Sequence, residues 1–356
     1  MSGKHLIIRA PNWVGDLVMA TPVLAAACES SEWVRVSIVL REHLRPLLAD
    51  SPLADCLVTV TKRTEVEVLR GLEGDAILLL TNSIGAAWRA FRARVPVRAG
   101  AALGLRRWLL THKLVPPTAG GRRVPIPTAH LHRDVAGLVG VQVPSLHPRL
   151  SIADETRERA TRIAREAGLE EGQRYVVCAP GAAFGAAKLW PPKFFAVVLD
   201  ELWERRGLRG LVTCGPGEED LVRSVVRSAR SEPVSLADSP RDLAMLAPLI
   251  ADSELLVVGD SGPRWFAAAF DTPCVSIMGP NSPELTASSL EWCEIVRRED
   301  LECSPCLRRV CPLGHHECMQ GLPPARVLEA ATRLLDRRSG SEDEALAAAS
   351  GSSSPR

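Results

Sequence analysis

The stretch HLIIRAPNWVGDLVMATPVLAAACES, residues 5–30, decides how the fold is read. HLIIR (5–9) is an apolar run of strand length, and LVMATPVLAAACES (17–30) is a helical stretch. Between them stands Pro11-Asn12-Trp13-Val14-Gly15-Asp16. A strand that turns directly into a helix opens an α/β unit, and the same alternation continues outward from it. VRVSIVL (34–40) and AILLL (76–80) are the next strand candidates in the first half. YVVCAP (175–180), GLVTCG (210–215), LLVVGD (255–260) and CVSIMGP (274–280) repeat the design in the second. Helical stretches such as PKFFAVVLDELWERRG (192–207) and EEDLVRSVVRSARS (218–231) separate them. The expected fold is therefore α/β, with two Rossmann-like domains whose parallel sheets are covered by helices on both faces.

The chain has 356 residues, more than one hydrophobic core usually organises, which fits two domains. SLHPRLSIADETRERATRIAREAGLEEGQ (145–173) holds a proline-bounded turn and then a charged amphipathic helix, the composition of an interdomain connection. The expected division is residues 1–160 and 161–338, followed by a small, Ser-rich tail over 339–356 that buries too little surface to stay ordered. A formal net charge of +1 excludes a polyanion-coating tail protein on global charge. No run of eighteen apolar residues and no signal-peptide pattern is present, so a cytoplasmic location is expected.

Ligands of open α/β sheets bind beyond the carboxyl ends of the strands, so the loops there are searched first. Asp16 occupies such a place, although an Asp at a helix start is commonly an N-cap or a first-turn dipole partner. In Pro180-Gly181-Ala182-Ala183-Phe184-Gly185-Ala186-Ala187-Lys188, two glycines permit close backbone approach and Lys188 offers a cation to a phosphate. The Walker pattern is absent from this segment. Val258-Gly259-Asp260-Ser261-Gly262-Pro263 again runs from strand into helix, where backbone N–H groups can bind phosphate. Asp260 has a bland reading as a cap.

Taken together, PNWVGDLVMATPVL, PGAAFGAAKLWPP and DSGP resemble the bacterial ADP-heptose:lipopolysaccharide heptosyltransferases, particularly those adding the second heptose. TNS (81–83), RRWLLTHKL (106–114), MGP (278–280) and CSPC (303–306) extend the resemblance over nearly the whole chain. The resemblance implies a glycosyltransferase-B type fold, its two Rossmann-like domains facing each other across a cleft, with acceptor on the N-terminal and donor on the C-terminal domain. It implies that Asp16 is the catalytic base and Lys188 the phosphate-binding lysine. Asp260, Ser261 and Gly262 would form the donor-pyrophosphate loop, with Asn12, Trp13 and Gly15 bordering the transferred sugar. Glu218 and Glu219 both fall where a carboxylate could hold the ribose hydroxyls.

Inverting glycosyl transfer needs a base for the acceptor hydroxyl and positive charge for the departing pyrophosphate, roles that Asp16 and Lys188 suit. No D-x-D occurs, so neither a metal nor a cofactor is expected in the transfer. From Ala86 to Arg133 there is no Asp or Glu, while Arg89, Arg92, Arg94, Arg98, Arg106, Arg107, Lys113, Arg122, Arg123 and Arg133 all occur. Such a field suits the anionic groups of a Kdo/heptose-lipid A acceptor at the inner-membrane surface, and Arg89, Arg106, Arg107 and Lys113 are the acceptor-binding candidates. A merely solvated basic face is the bland alternative. Nucleic acid is not the expected partner, because no recognised binding motif accompanies the run. A peripheral monomer is expected.

Two departures from the family pattern stand out. Trp265 replaces a histidine common after the DSGP loop, and Arg98-Ala99-Gly100-Ala101 stands where relatives carry a tyrosine after an R-V-G-like turn. They keep two other classes open: a related-fold enzyme using another nucleotide sugar, and a low-activity nucleotide-sugar-binding paralogue. Cys303, Cys306, Cys311 and Cys318, with His315 and His316 among them, could bind structural zinc, but the spacing is irregular for a zinc ribbon. A reduced, packed cysteine loop is the expectation, as it is for the six scattered cysteines.

Overall fold

The computed structural model describes residues 3–240 and 242–351, apart from the side chains of Arg122 and of residues 341–351. The chain divides into two compact units. The first comprises Met1–Asp154, Asp242–Ala244 and Pro283–Ser289, and the second Glu155–Arg241, Met245–Ser282 and Leu290–Arg356.

The first unit is built on a six-stranded sheet of β1 (His5–Arg9), β2 (Arg35–Arg41), β3 (Leu57–Val60), β4 (Ala76–Leu79), β5 (Val97–Ala101) and β6 (His112–Leu114). Their order is β3-β2-β1-β4-β5-β6, and every neighbouring pair is parallel. Helices α1 (Val14–Cys28), α2 (Glu65–Gly71), α3 (Ile84–Arg92) and α4 (Thr128–Gly137) lie between or after these strands. A two-stranded ribbon of β7 (Thr118–Ala119) and β8 (Arg122–Arg123) precedes α4. The five residues of β1 are all buried because strands pair on both sides and helices cover the faces. Ile7, Val39, Ile77 and Leu79 pack with Ala87 and Ala90 of α3 in one apolar core.

The second unit repeats the plan with β9 (Tyr175–Ala179), β10 (Arg209–Val212), β11 (Val234–Ser235), β12 (Leu255–Gly259), β13 (Cys274–Ile277) and β14 (Cys293–Val296). Their order is β11-β10-β9-β12-β13-β14, again parallel throughout. Its helices are α5 (Asp154–Glu166), α6 (Pro192–Arg206), α7 (Glu219–Ser228), α8 (Leu246–Ala251), α9 (Pro263–Ala269), α10 (Glu317–Gln320) and α11 (Pro324–Gly351). Trp190, Phe195, Leu199 and Val212 share one core with Leu334 and Leu335 of α11. This dinucleotide-fold order reverses between β1 and β4 and between β9 and β12, which opens a crevice at each sheet's carboxyl edge.

The division falls at Asp154/Glu155. The tail expected to lack order from residue 339 is helical as far as Gly351, and its last five residues lie outside the described ones. Its many alanines carry the highest helix propensity, which a reading of its serines and small residues overlooked. Among the described residues, no helix is long and apolar enough to cross a membrane.

Candidate functional site

In the first unit the loop after β1 leads straight into α1. Trp13 is the N-cap residue and makes no side-chain cap, so Asp16 stands in the first helical turn rather than at the cap. There a carboxylate still interacts favourably with the helix dipole. Asp16 is half-buried, Gly15 is buried, and the indole of Trp13 is 51 % exposed. Arg9 Nη2 donates to Asn12 Oδ1 at 2.7 Å, which fixes the loop just ahead of Asp16.

Arg106 is where the sequence reading needs correction. Its side chain is 1 % exposed and does not join an exposed basic field. Nη1 donates to Thr81 O at 2.8 Å and to Asn82 Oδ1 at 3.2 Å, and the guanidinium lies against Gly100, where a Cβ would stand 2.8 Å from Nη2. Burial alone pulls its pKa down to about 10, so it remains cationic at neutral pH. Arg89 is also tied inward, its Nε 2.8 Å from Glu65 Oε2. Arg107 and Lys113 are exposed, with Arg107 over the ring of the exposed Trp108 at 5.3 Å.

In the second unit Lys188 Nζ lies 2.6 Å from Asp260 Oδ2 and donates to Asp260 O at 3.1 Å. Two residues predicted separately to meet the donor thus meet each other, with side chains only 11 % and 8 % exposed. Lys188 Nζ also sits 4.7 Å from the centre of the Phe184 ring. Ser261 and Gly262 lead into α9, which has seven residues and starts with Pro263, so one N–H is missing from its first turn. Glu218 Oε2 accepts from Gly215 N at 2.9 Å, and a Cβ on Gly181 would stand 1.9 Å from that oxygen. Glu218 therefore packs directly against the glycine of the Lys188 loop. Glu219 accepts from Gly217 N at 3.3 Å in the first turn of α7.

The cysteine loop braces the same Lys188 loop, a relation that local sequence does not announce. Ala187 N donates to Arg309 O at 3.0 Å, and Ala187 O lies 2.7 Å from His316 Nε2. Cys303, Cys306, Cys311 and Cys318 line one small cavity together with His315 and His316. Burial, reinforced by the other three thiols, pushes the Cys318 thiol up to about 11. Among the described residues no group of three or more His, Cys, Asp or Glu side chains is arranged to hold a metal ion. Trp265 is buried in α9 under Arg264, whose guanidinium lies 4.6 Å from the ring centre.

Residues 66–317 match glycosyltransferase family 9 (heptosyltransferase). The chain belongs to this family. It is a glycosyltransferase with two Rossmann-like domains of the glycosyltransferase-B kind. The lipooligosaccharide heptosyltransferase 2 of Haemophilus ducreyi is 26 % identical over 352 residues, covering 93 % of this chain and 99 % of that protein. With lipooligosaccharide heptosyltransferase 2 of Campylobacter jejuni the identity is 29 % over 169 residues, and the match spans 47 % of this chain and about half (53 %) of that protein. The solved structure of Escherichia coli ADP-heptose lps heptosyltransferase II superposes with a TM-score of 0.75 at 22 % identity, over 94 % of this chain and 99 % of that one.

Proposed function

We propose that this family 9 enzyme transfers L-glycero-D-manno-heptose, with inversion, from ADP-heptose to the heptose/Kdo inner core of lipopolysaccharide. Asp16 removes the proton of the acceptor hydroxyl, whose oxygen forms the new bond to the anomeric carbon as the bond to ADP breaks. Lys188 counters the charge that grows on the departing pyrophosphate. Asp260, Ser261 and Gly262 shape that pocket, Glu218 rather than Glu219 holds the ribose, and Asn12, Trp13 and Gly15 border the sugar. No step requires a metal or a cofactor.

The observation that carries this reading is the Lys188–Asp260 pair at the carboxyl edge of the second sheet, beside Glu218 and glycine backbone. An ion pair held out of water is a poised cation, since an incoming pyrophosphate can take over the lysine that the carboxylate now holds. Glu218 over Glu219 follows from its contact with Gly181. Exposed Trp88, Leu105 and Trp108, together with Arg107 and Lys113, support an acceptor presented at an anionic inner-membrane surface on the cytoplasmic side.

Asp16→Asn tests the base. It keeps the shape of the first turn and loses the proton acceptor, so ADP release with saturating acceptor should fall by roughly 10² to 10⁴ while ADP still binds. Turnover within about threefold of wild type, far short of a general-base effect, would remove Asp16 from the role.

A further inference from the structure

Glu65, the first residue of α2, is fully buried, and its carboxylate meets three guanidinium groups. Arg9 Nε lies 2.8 Å from Oε1, while Arg41 Nη2 and Arg89 Nε each lie 2.8 Å from Oε2. The charges acting on Arg9 are Glu65, Arg41 and Arg89, with no second carboxylate among them. Buried charges are ordinarily matched, so one carboxylate serving three guanidiniums leaves positive charge without a counter-ion.

The cluster has a definite place in the sheet. Arg9 ends β1, Arg41 ends β2, Glu65 follows β3, and Arg89 lies on α3 after β4. All four belong to the carboxyl edge, around the point where the strand order reverses. Arg9 is buried completely, whereas the side chains of Arg41 and Arg89 keep 12 % and 19 % of their exposure. Arg89 makes no hydrogen bond through Nη1 or Nη2 with a described residue, so its fork is available. The same Arg9 reaches Asn12, in the loop that leads into the first turn of α1, where Asp16 lies.

We propose that Arg41 and Arg89, oriented by Glu65, form an anion-binding site that takes a carboxylate or phosphate group of the acceptor. A guanidinium fork binds either group bidentately, and Arg89, which meets Glu65 through Nε, has Nη1 and Nη2 for that contact; Arg41, already held by Glu65 Oε2 through Nη2 and by Val60 O through Nη1 at 3.2 Å, adds its charge and remaining N–H groups at little entropic cost. Glu65 and Arg9 are positioning residues: Glu65 sets the two forks, and Arg9 ties their location to the Asn12–Asp16 loop. The assignment of the ligand to the acceptor rests on the function proposed above, but the anion site itself does not.

The test uses the full chain as wild type, Arg41→Gln, Arg89→Gln and the double variant. Titrations with a Kdo glycoside, its carboxyl-reduced neutral counterpart, and glycerol phosphate separate the carboxylate from the phosphate source. Wild type should bind at least one acid about tenfold or more tightly than the neutral sugar, and the double variant should lose that preference while its ADP affinity is kept. In transfer assays the variants should raise KM for the acid acceptor and abolish discrimination against the reduced one. Should a variant misfold, Arg41→Lys with Arg89→Lys keeps the charge but removes the forks, and discrimination should still fall. Acid binding that the variants reduce, without any heptose transfer by wild type, would keep the site and sink the acceptor reading. Folded variants that bind acids as wild type does, or that lose acid and neutral ligands equally, would overturn the proposal.

Discussion

Breaking the Lys188–Asp260 pair should separate the folding role of these residues from the donor role proposed for them. At 2.6 Å the attraction between them is about 6 kcal/mol at an effective dielectric of about 20. Desolvating two ions costs several kcal/mol each, so the intact pair contributes little net stability. Removing one partner is different, because the other charge stays buried. Lys188→Met should therefore destabilise the second unit by about 3 to 5 kcal/mol, and Asp260→Asn by less, since an amide can still accept a bond from the lysine. The double variant should lose less than the two singles together. In calorimetric titration Lys188→Met should weaken ADP by about 1.5 to 3 kcal/mol, a factor of roughly 10 to 150, the effect of one lost charge-assisted bond. Asp260→Asn should bind ADP at least as tightly as wild type, because the lysine no longer has an internal competitor and a like charge has left the pocket. A donor role for Lys188 fails if Lys188→Met binds ADP normally. Competition by Asp260 is ruled out if Asp260→Asn weakens ADP as much as Lys188→Met does.

Four further outcomes follow from the same geometry. Gly181→Ala places a methyl where Glu218 now lies, so the fold should survive while discrimination between ADP and an analogue lacking ribose hydroxyls drops, by titration, by about 1 kcal/mol. His316→Ala removes a brace on Ala187 and should weaken ADP severalfold, the worth of about one hydrogen bond, with a melting temperature change too small to explain it. Trp265→His should cost roughly 2 to 4 kcal/mol in urea unfolding because it replaces a buried indole with a smaller polar ring. His132 is buried, and desolvation holds its pKa down at about 4, so it stays neutral in the fold while the unfolded chain takes up a proton below about pH 6.5. Stability of the first unit should consequently fall by about 3 kcal/mol between pH 6.5 and 4, and His132→Gln should flatten that slope in unfolding curves.

The strands that could be read from the sequence are those with continuous apolar runs, such as HLIIR and LLVVG, because strands buried on both faces advertise themselves by composition. LVTV of β3, VRAGA of β5 and HKL of β6 did not, being short, polar or small where they approach the sheet's edge. The site followed the same rule. Asp16 and Lys188 could be singled out as candidates because each follows closely on a strand, Asp16 in the first turn of α1 after β1 and Lys188 between β9 and α6. Arg106 was misplaced because a charge reads as surface, and only Gly100, Thr81 and Asn82, distant in sequence, make room and partners for it indoors. Glu65 escaped notice for the converse reason. A single acid among exposed-looking residues carries no periodic signal, and its three arginines come from β1, β2 and α3.

The two units thus hold their cations in different ways, and under the proposed function this bears on how donor and acceptor are each selected. In the second unit Lys188 is neutralised by Asp260, so a ligand must displace or outweigh an internal carboxylate. A pyrophosphate, with several charged oxygens, can do so more readily than a single carboxylate can, which favours a nucleoside diphosphate over smaller anions. In the first unit Glu65 leaves its arginines in excess, so an anion adds to the cluster without displacing anything. Salt screens partly exposed forks such as Arg41 and Arg89, together with the solvated Arg107 and Lys113, more strongly than it screens a pair shut away from water. Acceptor KM should accordingly rise with ionic strength more steeply than donor KM, and equal slopes would mean that the excess charge of the first unit does not reach the ligand.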